Sequence, residues 1–119
     1  MSHDRHRAVR TGRWAEVLCV AVLRLKGYRI LLRDFRTPVG EVDIVARRGR
    51  ILAVIEVKAR ATKEDAANSI GDRQRQRITR ATEYLTATLP GAQNTDIRFD
   101  AMLVVPWRLP IHIMNAWGH

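Results

Sequence analysis

Four charged side chains stand in the most apolar part of this sequence. Glu41 and Asp43 lie in Gly40-Glu41-Val42-Asp43-Ile44-Val45-Ala46, and Glu56 and Lys58 in Ile51-Leu52-Ala53-Val54-Ile55-Glu56-Val57-Lys58. The turn signal Arg48-Gly49-Arg50 joins the two runs, so they read as a β-hairpin. Side chains alternate faces along a strand, so Glu41 shares a face with Asp43, and Glu56 with Lys58. A tight turn over Gly49-Arg50 sets Asp43 directly opposite Glu56 and converges all four groups on one side of the sheet. Both faces are apolar away from this charged end, as in a central strand covered on both sides. Two carboxylates about 4 Å apart repel by about 4 kcal/mol at an effective dielectric near 20. Such a pair must take up a proton, pair with cations or bind a metal. Lys58 compensates one charge only. An oxygen-lined site with two or more carboxylates suits Mg²⁺ or Mn²⁺. The bland alternative is an exposed ladder of Asp43, Glu56 and Lys58, which would stabilise little.

The elements that must hold these groups follow from periodicity. Residues 1–10 are polar, basic and aperiodic and read as a disordered arm. A helix then runs from Thr11 or Gly12 to about Lys26, with Trp14, Leu18, Ala21, Val22 and Leu25 as its apolar stripe and Gly27 as its stop. Residues 28–35 form a strand, 41–46 and 50–58 the hairpin, and 72–88 a long helix with Ile78, Ala81, Tyr84 and Leu85 facing inward. Residues 97–105 and 111–117 are two more strands, while 59–69 has no clear pattern. The order α-β-β-β-α-β with a short extra C-terminal strand is an α/β domain: a mixed central sheet flanked by helices, one domain over 11–119.

Composition narrows the function classes. The chain has 119 residues, 46% hydrophobic and 28% charged, which suits one globular domain. Its formal charge of +9 points to a polyanionic partner, although only three of the 21 basic residues are lysines and arginine bias explains part of the excess. A single cysteine, Cys19, excludes a disulfide framework or thiolate cluster and fits a reducing cytoplasm. The basic start followed by Val17 to Leu23 is too short for a membrane span and lacks a cleavage site, so no membrane association is expected. Glu16 is the only acidic residue between Arg5 and Arg33. It borders Cys19, Val20 and Leu23 on the first helix, and reads equally as a helix N-terminal carboxylate or a site residue.

Asp43 followed by Glu56-Val57-Lys58 is similar to the D…(D/E)-x-K signature of restriction-endonuclease-like nucleases. The wider set is more specific: Gly12…Ala15-Glu16, Gly27-Tyr28, Gly40-Glu41-Val42-Asp43-Ile44-Val45, Glu56-Val57-Lys58-Ala59-Arg60, Ala81…Tyr84-Leu85, Arg98-Phe99-Asp100 and Ile111-His112-Ile113…Asn115-Ala116-Trp117. Together they closely resemble the bacterial YraN-like family of small proteins with a predicted endonuclease fold, over residues 11–117. The archaeal Holliday-junction resolvases are a more distant likeness. The resemblance implies a restriction-endonuclease-like core and a metal-dependent nuclease acting on DNA, with structured or branched DNA as its preferred form. It implies Asp43, Glu56 and the Val57 carbonyl as ligands of Mg²⁺ or Mn²⁺, Lys58 as the residue that orients water or stabilises charge, and Glu16 as a further ligand. Glu41 is then a supporting residue paired with Arg60. A non-catalytic nucleic-acid-binding module is the alternative, and a homodimer is left open.

Arg73, Arg77 and Arg80 fall on one stripe of the long helix, with Gln74 beside them where related sequences often have lysine. Arg47, Arg48 and Arg50 make a basic hairpin tip, and Arg60 follows the Glu56-Val57-Lys58 motif. These residues suit phosphate contacts without base reading. The sequence shows no aromatic stacking platform.

Overall fold

Alternation along the hairpin decides which helix covers which side of the sheet. The computed structural model describes the backbone of residues 2–117 and the side chains of residues 13–117. Its elements are α1 (Ser2–Leu25), β1 (Arg29–Thr37), β2 (Gly40–Arg48), β3 (Ile51–Ala59), α2 (Lys63–Asn68), α3 (Asp72–Thr88), β4 (Asp96–Val104) and β5 (Ile111–Trp117). The strands form one sheet in the order β1-β2-β3-β4-β5. Only β3 and β4 run parallel, because α2 and α3 make the crossover between them. Ile44, Ala46, Ala53 and Ile55 pack with Cys19, Val20 and Leu23 of α1. The intervening Val45, Leu52 and Val54 pack with Ile78, Ala81 and Leu85 of α3. The α/β class and the mixed sheet flanked by helices are those the sequence predicts. No helix of the described residues is long and apolar enough to cross a membrane.

Helix α1 departs from expectation in two ways. Its start is at Ser2, ahead of the Thr11 or Gly12 read from the sequence. The side chains of residues 1–12, including the arm expected over 1–10, lie outside the described residues. The buried stripe is also rotated. Ala15, Cys19, Val20 and Leu23 are buried, whereas Trp14 is 66% and Leu25 88% exposed. Small Ala15 and Cys19 let the helix axis approach the sheet, which a Trp at that position would prevent. The rotation turns Glu16 toward the hairpin.

Tyr84 was expected inside and is exposed, tilted against Phe35 with ring centroids 6.2 Å apart. Thr82 takes the buried place and donates its hydroxyl to the Ile78 carbonyl at 2.7 Å. Residues 59–69, unassigned from sequence, contain α2, whose start is capped by the Thr62 hydroxyl accepting the Asp65 N–H at 3.1 Å.

A buried network locks β5 and the end of α1 onto β4. Asp100 has no exposed surface and accepts two bonds from Arg98 at 2.8 Å, one from His112 Nε2 at 2.7 Å and one from the Asn115 N–H at 3.0 Å. Lys26 Nζ lies 2.6 Å from His112 Nδ1, which assigns the ring proton to Nε2 when the imidazole is neutral. Arg98 also reaches the Tyr28 hydroxyl. Burial alone would raise Asp100, but the bonds from His112, Arg98 and Asn115 outweigh it and hold its carboxyl below the usual range. A depressed folded-state pKa contributes stability that is present above the unfolded value, about 3.9, and is lost as pH falls through the folded one. Asp100→Asn is therefore expected to lower stability by about 3–5 kcal/mol at neutral pH. Urea unfolding followed against pH should show the gap to wild type narrowing below about pH 4.

Gly40 marks the closest approach of α3 to the sheet. A Cβ there would stand 2.1 Å from the Arg77 carbonyl oxygen, a backbone atom that cannot swing away. Gly40→Ala should cost at least about 1–3 kcal/mol through displacement of α3, measured as a lowered midpoint of denaturant unfolding.

Candidate active site

The hairpin pairs in the predicted register, with Ala46 opposite Ala53, Val45 opposite Val54 and Ile44 opposite Ile55. Regular pairing of β2 with β3 ends there, one step before Asp43 and Glu56. The Val57 N–H donates to Asp43 Oδ2 at 2.8 Å instead of to the neighbouring backbone. On the other side of β2, Asp34 of β1 has a left-handed backbone, φ 51°, between the pairs Arg33–Ile44 and Phe35–Val42. Around Asp43 the β2–β3 pairing thus stops and β1 is distorted, while β3 stays paired with β4 through Ala59. Its carboxylate lines a cleft of about 280 Å³ with Glu16, Asp34, Val57, Arg13 and Arg36.

Glu56 is buried beside it and held from two directions. Gln74 of α3 donates to Glu56 Oε1 at 2.6 Å, and Lys58 Nζ stands 3.2 Å from the same oxygen. Burial, and then the charge of Asp43, push Glu56 up to about 8. Burial also raises Asp43, opposed by the bond from the Val57 N–H. Burial, then Asp43 and Glu16, push the Cys19 thiol up to about 12, so it is an inert thiol and not a nucleophile. The carboxylate pair carries more negative charge than Lys58 can offset, and a proton or a cation must make up the difference.

Asp43, Glu56 and the Val57 carbonyl are hard oxygen donors of the kind Mg²⁺ or Mn²⁺ takes. In that respect the residues present fit a divalent ion. Among the described residues, however, no three His, Cys, Asp or Glu side chains are grouped closely enough to hold one ion. Glu16 reaches the same cleft but is engaged by Arg33 at 3.1 Å. Glu41 stays outside: it is exposed and in register with Arg36, while Arg60 donates to the Ala59 carbonyl at 2.7 Å and not to Glu41.

The arginines divide into two groups. Arg73, Arg77 and Arg80 are exposed on α3, the helix whose Gln74 touches Glu56. The hairpin tip lies at the other end of β2 and is occupied locally. Arg47 donates to the carbonyls of Gly49 at 2.9 Å and Gly91 at 2.7 Å. Arg48 donates to the Lys26 carbonyl and lies over the Tyr28 ring, and Arg50 is 3.9 Å from Asp96. Sequence reasoning missed Asp34 and Arg36 in the cleft. The signal was Arg33-Asp34-Phe35-Arg36, a charged, Asp-containing stretch inside a strand, since Asp disfavours strands and tolerates the left-handed region.

The model of the family described as "Uncharacterised protein family UPF0102" matches residues 15–104. The chain is 50% identical over 117 residues to a UPF0102 protein of Maricaulis maris, covering 98% of this chain and 92% of that one. It is 49% identical over 110 residues to one of Parvibaculum lavamentivorans, with 92% and 83% covered. It is 48% identical over 110 residues to one of Nitrobacter winogradskyi, with 92% and 93% covered. With its motifs from Gly40 to Val45 and from Glu56 to Arg60 resembling the YraN-like family, this chain belongs to family UPF0102.

Proposed function

We propose that this protein is a divalent-metal-dependent phosphodiesterase that cuts DNA. The observation that carries the reading is the adjacent carboxylate pair, half-buried Asp43 and buried Glu56, set beside Lys58 where β2 and β3 part. Asp43, Glu56 and the Val57 carbonyl would hold Mg²⁺ or Mn²⁺. When bound, such an ion lowers the pKa of water toward neutrality and screens the phosphate charge. Lys58 supplies a fixed positive charge where negative charge develops at phosphorus. Gln74 holds Glu56 in place, so its role is positioning. Arg13 and Arg36 in the cleft, with Arg73, Arg77 and Arg80 on α3, bind and orient the phosphate backbone without reading sequence. Glu16 contributes to the ion only if the phosphate draws Arg33 away from it. The preference for structured or branched DNA comes from the family resemblance.

A second reading has its own support. The missing third ligand and the Glu16–Arg33 pair favour a module that binds nucleic acid without cutting it. Cleavage of end-labelled duplex, single-stranded, flap and four-way-junction DNA separates the two. The nuclease reading expects Mg²⁺- or Mn²⁺-dependent products, reduced about 100-fold or more in both Asp43→Ala and Lys58→Ala. Tight, salt-sensitive binding with no cutting of any substrate would sink it in favour of the module.

A stability measurement tests the site without activity. Asp43→Asn removes one of two repelling charges, so the metal-free variant should be more stable than wild type by about 1–2 kcal/mol. Added Mg²⁺ should raise the Tm of wild type and leave that of Asp43→Asn unchanged.

A further inference from the structure

Trp107 stands at the end of the sheet where Lys58 lies, with its side chain fully exposed (relative exposure 102%) and its backbone left-handed at φ 66°. A bulky residue at positive φ is a backbone outlier, and such outliers cluster at ligand-contacting positions. The loop that carries it leaves β4 at Val104, which is in register with Ala59, one residue beyond Lys58. The Arg60 N–H donates to the Val104 carbonyl at 3.1 Å and ties the two chain segments together.

Trp107 borders a groove of about 520 Å³ that is lined also by the apolar Leu18, Val105 and Pro106 and by Arg60 and Arg108. Ala59 lines both this groove and the cleft that contains Asp43, so the two hollows adjoin. Among the described residues the lining holds two guanidinium groups and no carboxylate. That charge favours a polyanion over a protein surface of mixed charge. A fully exposed indole at the edge of an apolar groove offers a stacking face, and the guanidiniums of the same lining suit phosphate oxygens.

We infer that this groove is a stacking subsite for one unpaired nucleobase next to the scissile phosphate that the nuclease reading places at the Asp43 cleft. The inference rests on the nuclease reading of the neighbouring cleft and adds the substrate class: DNA with an unpaired nucleotide, in a single strand or at a branch. A base inside a duplex is stacked on both faces and cannot occupy the groove without leaving its stack.

The test is fluorescence anisotropy in chelator, so that no cleavage occurs. The probes are a labelled oligothymidylate of about twelve nucleotides, within the span one small domain covers, and a blunt duplex of equal length. Trp107→Ala should weaken binding of the single strand about 5- to 100-fold and leave the duplex within about twofold. Trp107→Phe should keep most of the single-strand affinity. Trp107 is fully exposed, and unchanged thermal unfolding will certify the variants as folded. Equal losses on both probes, or no loss on either, overturn the stacking subsite while leaving the nuclease reading intact; the second result would hand the groove to a protein partner. Wild type binding neither probe would overturn the inference, while the nuclease reading stands or falls separately on the metal-dependent cleavage of the four DNA forms.

Discussion

The mutual repulsion of Asp43 and Glu56 inside an otherwise apolar hairpin is the constraint around which the other site residues are arranged. Two adjacent carboxylates cannot both stay ionised in a buried layer without compensation. The chain provides it piecemeal. A backbone N–H from Val57 serves Asp43, an ammonium from Lys58 and an amide from Gln74 serve Glu56, and strand pairing is given up at that point. Gln74 can reach Glu56 only because α3 lies directly on β2 at Gly40, where no side chain intervenes. The helix–sheet packing and the state of the acidic pair are therefore one problem, solved together.

One strand away, Asp100 shows what a fully satisfied buried carboxylate looks like in the same sheet. It is in register with Ile55, next to Glu56, yet it receives four hydrogen bonds and its carboxyl is held low. Glu56 is pushed the opposite way. Burial is common to both, so the difference lies in their partners. Asp100 is a fastening for β5 and for the end of α1, which explains the Arg98-Phe99-Asp100 and Ile111-His112-Ile113 motifs in structural terms. Asp43 and Glu56 have one ammonium between them, so the pair holds more negative charge than its described partners offset.

The hairpin was legible because its register depends on a two-residue turn and strict alternation, both local properties. The long helix α3 was legible for the same reason. Failures arose where two local answers were equally good and packing chose between them. Helix α1 has two apolar stripes, and the small side chains of Ala15 and Cys19 selected the one that brings Glu16 inward and leaves Trp14 and Leu25 outside. Tyr84 lost the interior to Thr82, which satisfies its own hydroxyl within the helix. Asp34 and Trp107 depend on left-handed backbone at non-glycine positions, which no periodicity encodes. Thr62 and Asp65 could have revealed α2 through their capping spacing, had so short a helix been sought.

Net charge alone does not say which arginines are already engaged. The formal +9 counts Arg47 and Arg48 equally with Arg36 and Arg60. Arg47 and Arg48, however, stabilise backbone carbonyls at the tip of the hairpin and one of them covers the Tyr28 ring. A guanidinium already donating to carbonyls has fewer protons left for a phosphate, and at the far end of the strands it is distant from the acidic pair. Around the opening, Arg36 is paired with Asp34 at 3.3 Å and Arg60 donates to the Ala59 carbonyl at 2.7 Å, while Arg13 lines the cleft and Arg108 the groove that shares Ala59 with it. Clefts lined by opposite charges are usually self-neutralised. Here Arg33 pairs with Glu16, Arg36 with Asp34 and Lys58 with Glu56, while Asp43 takes the Val57 N–H.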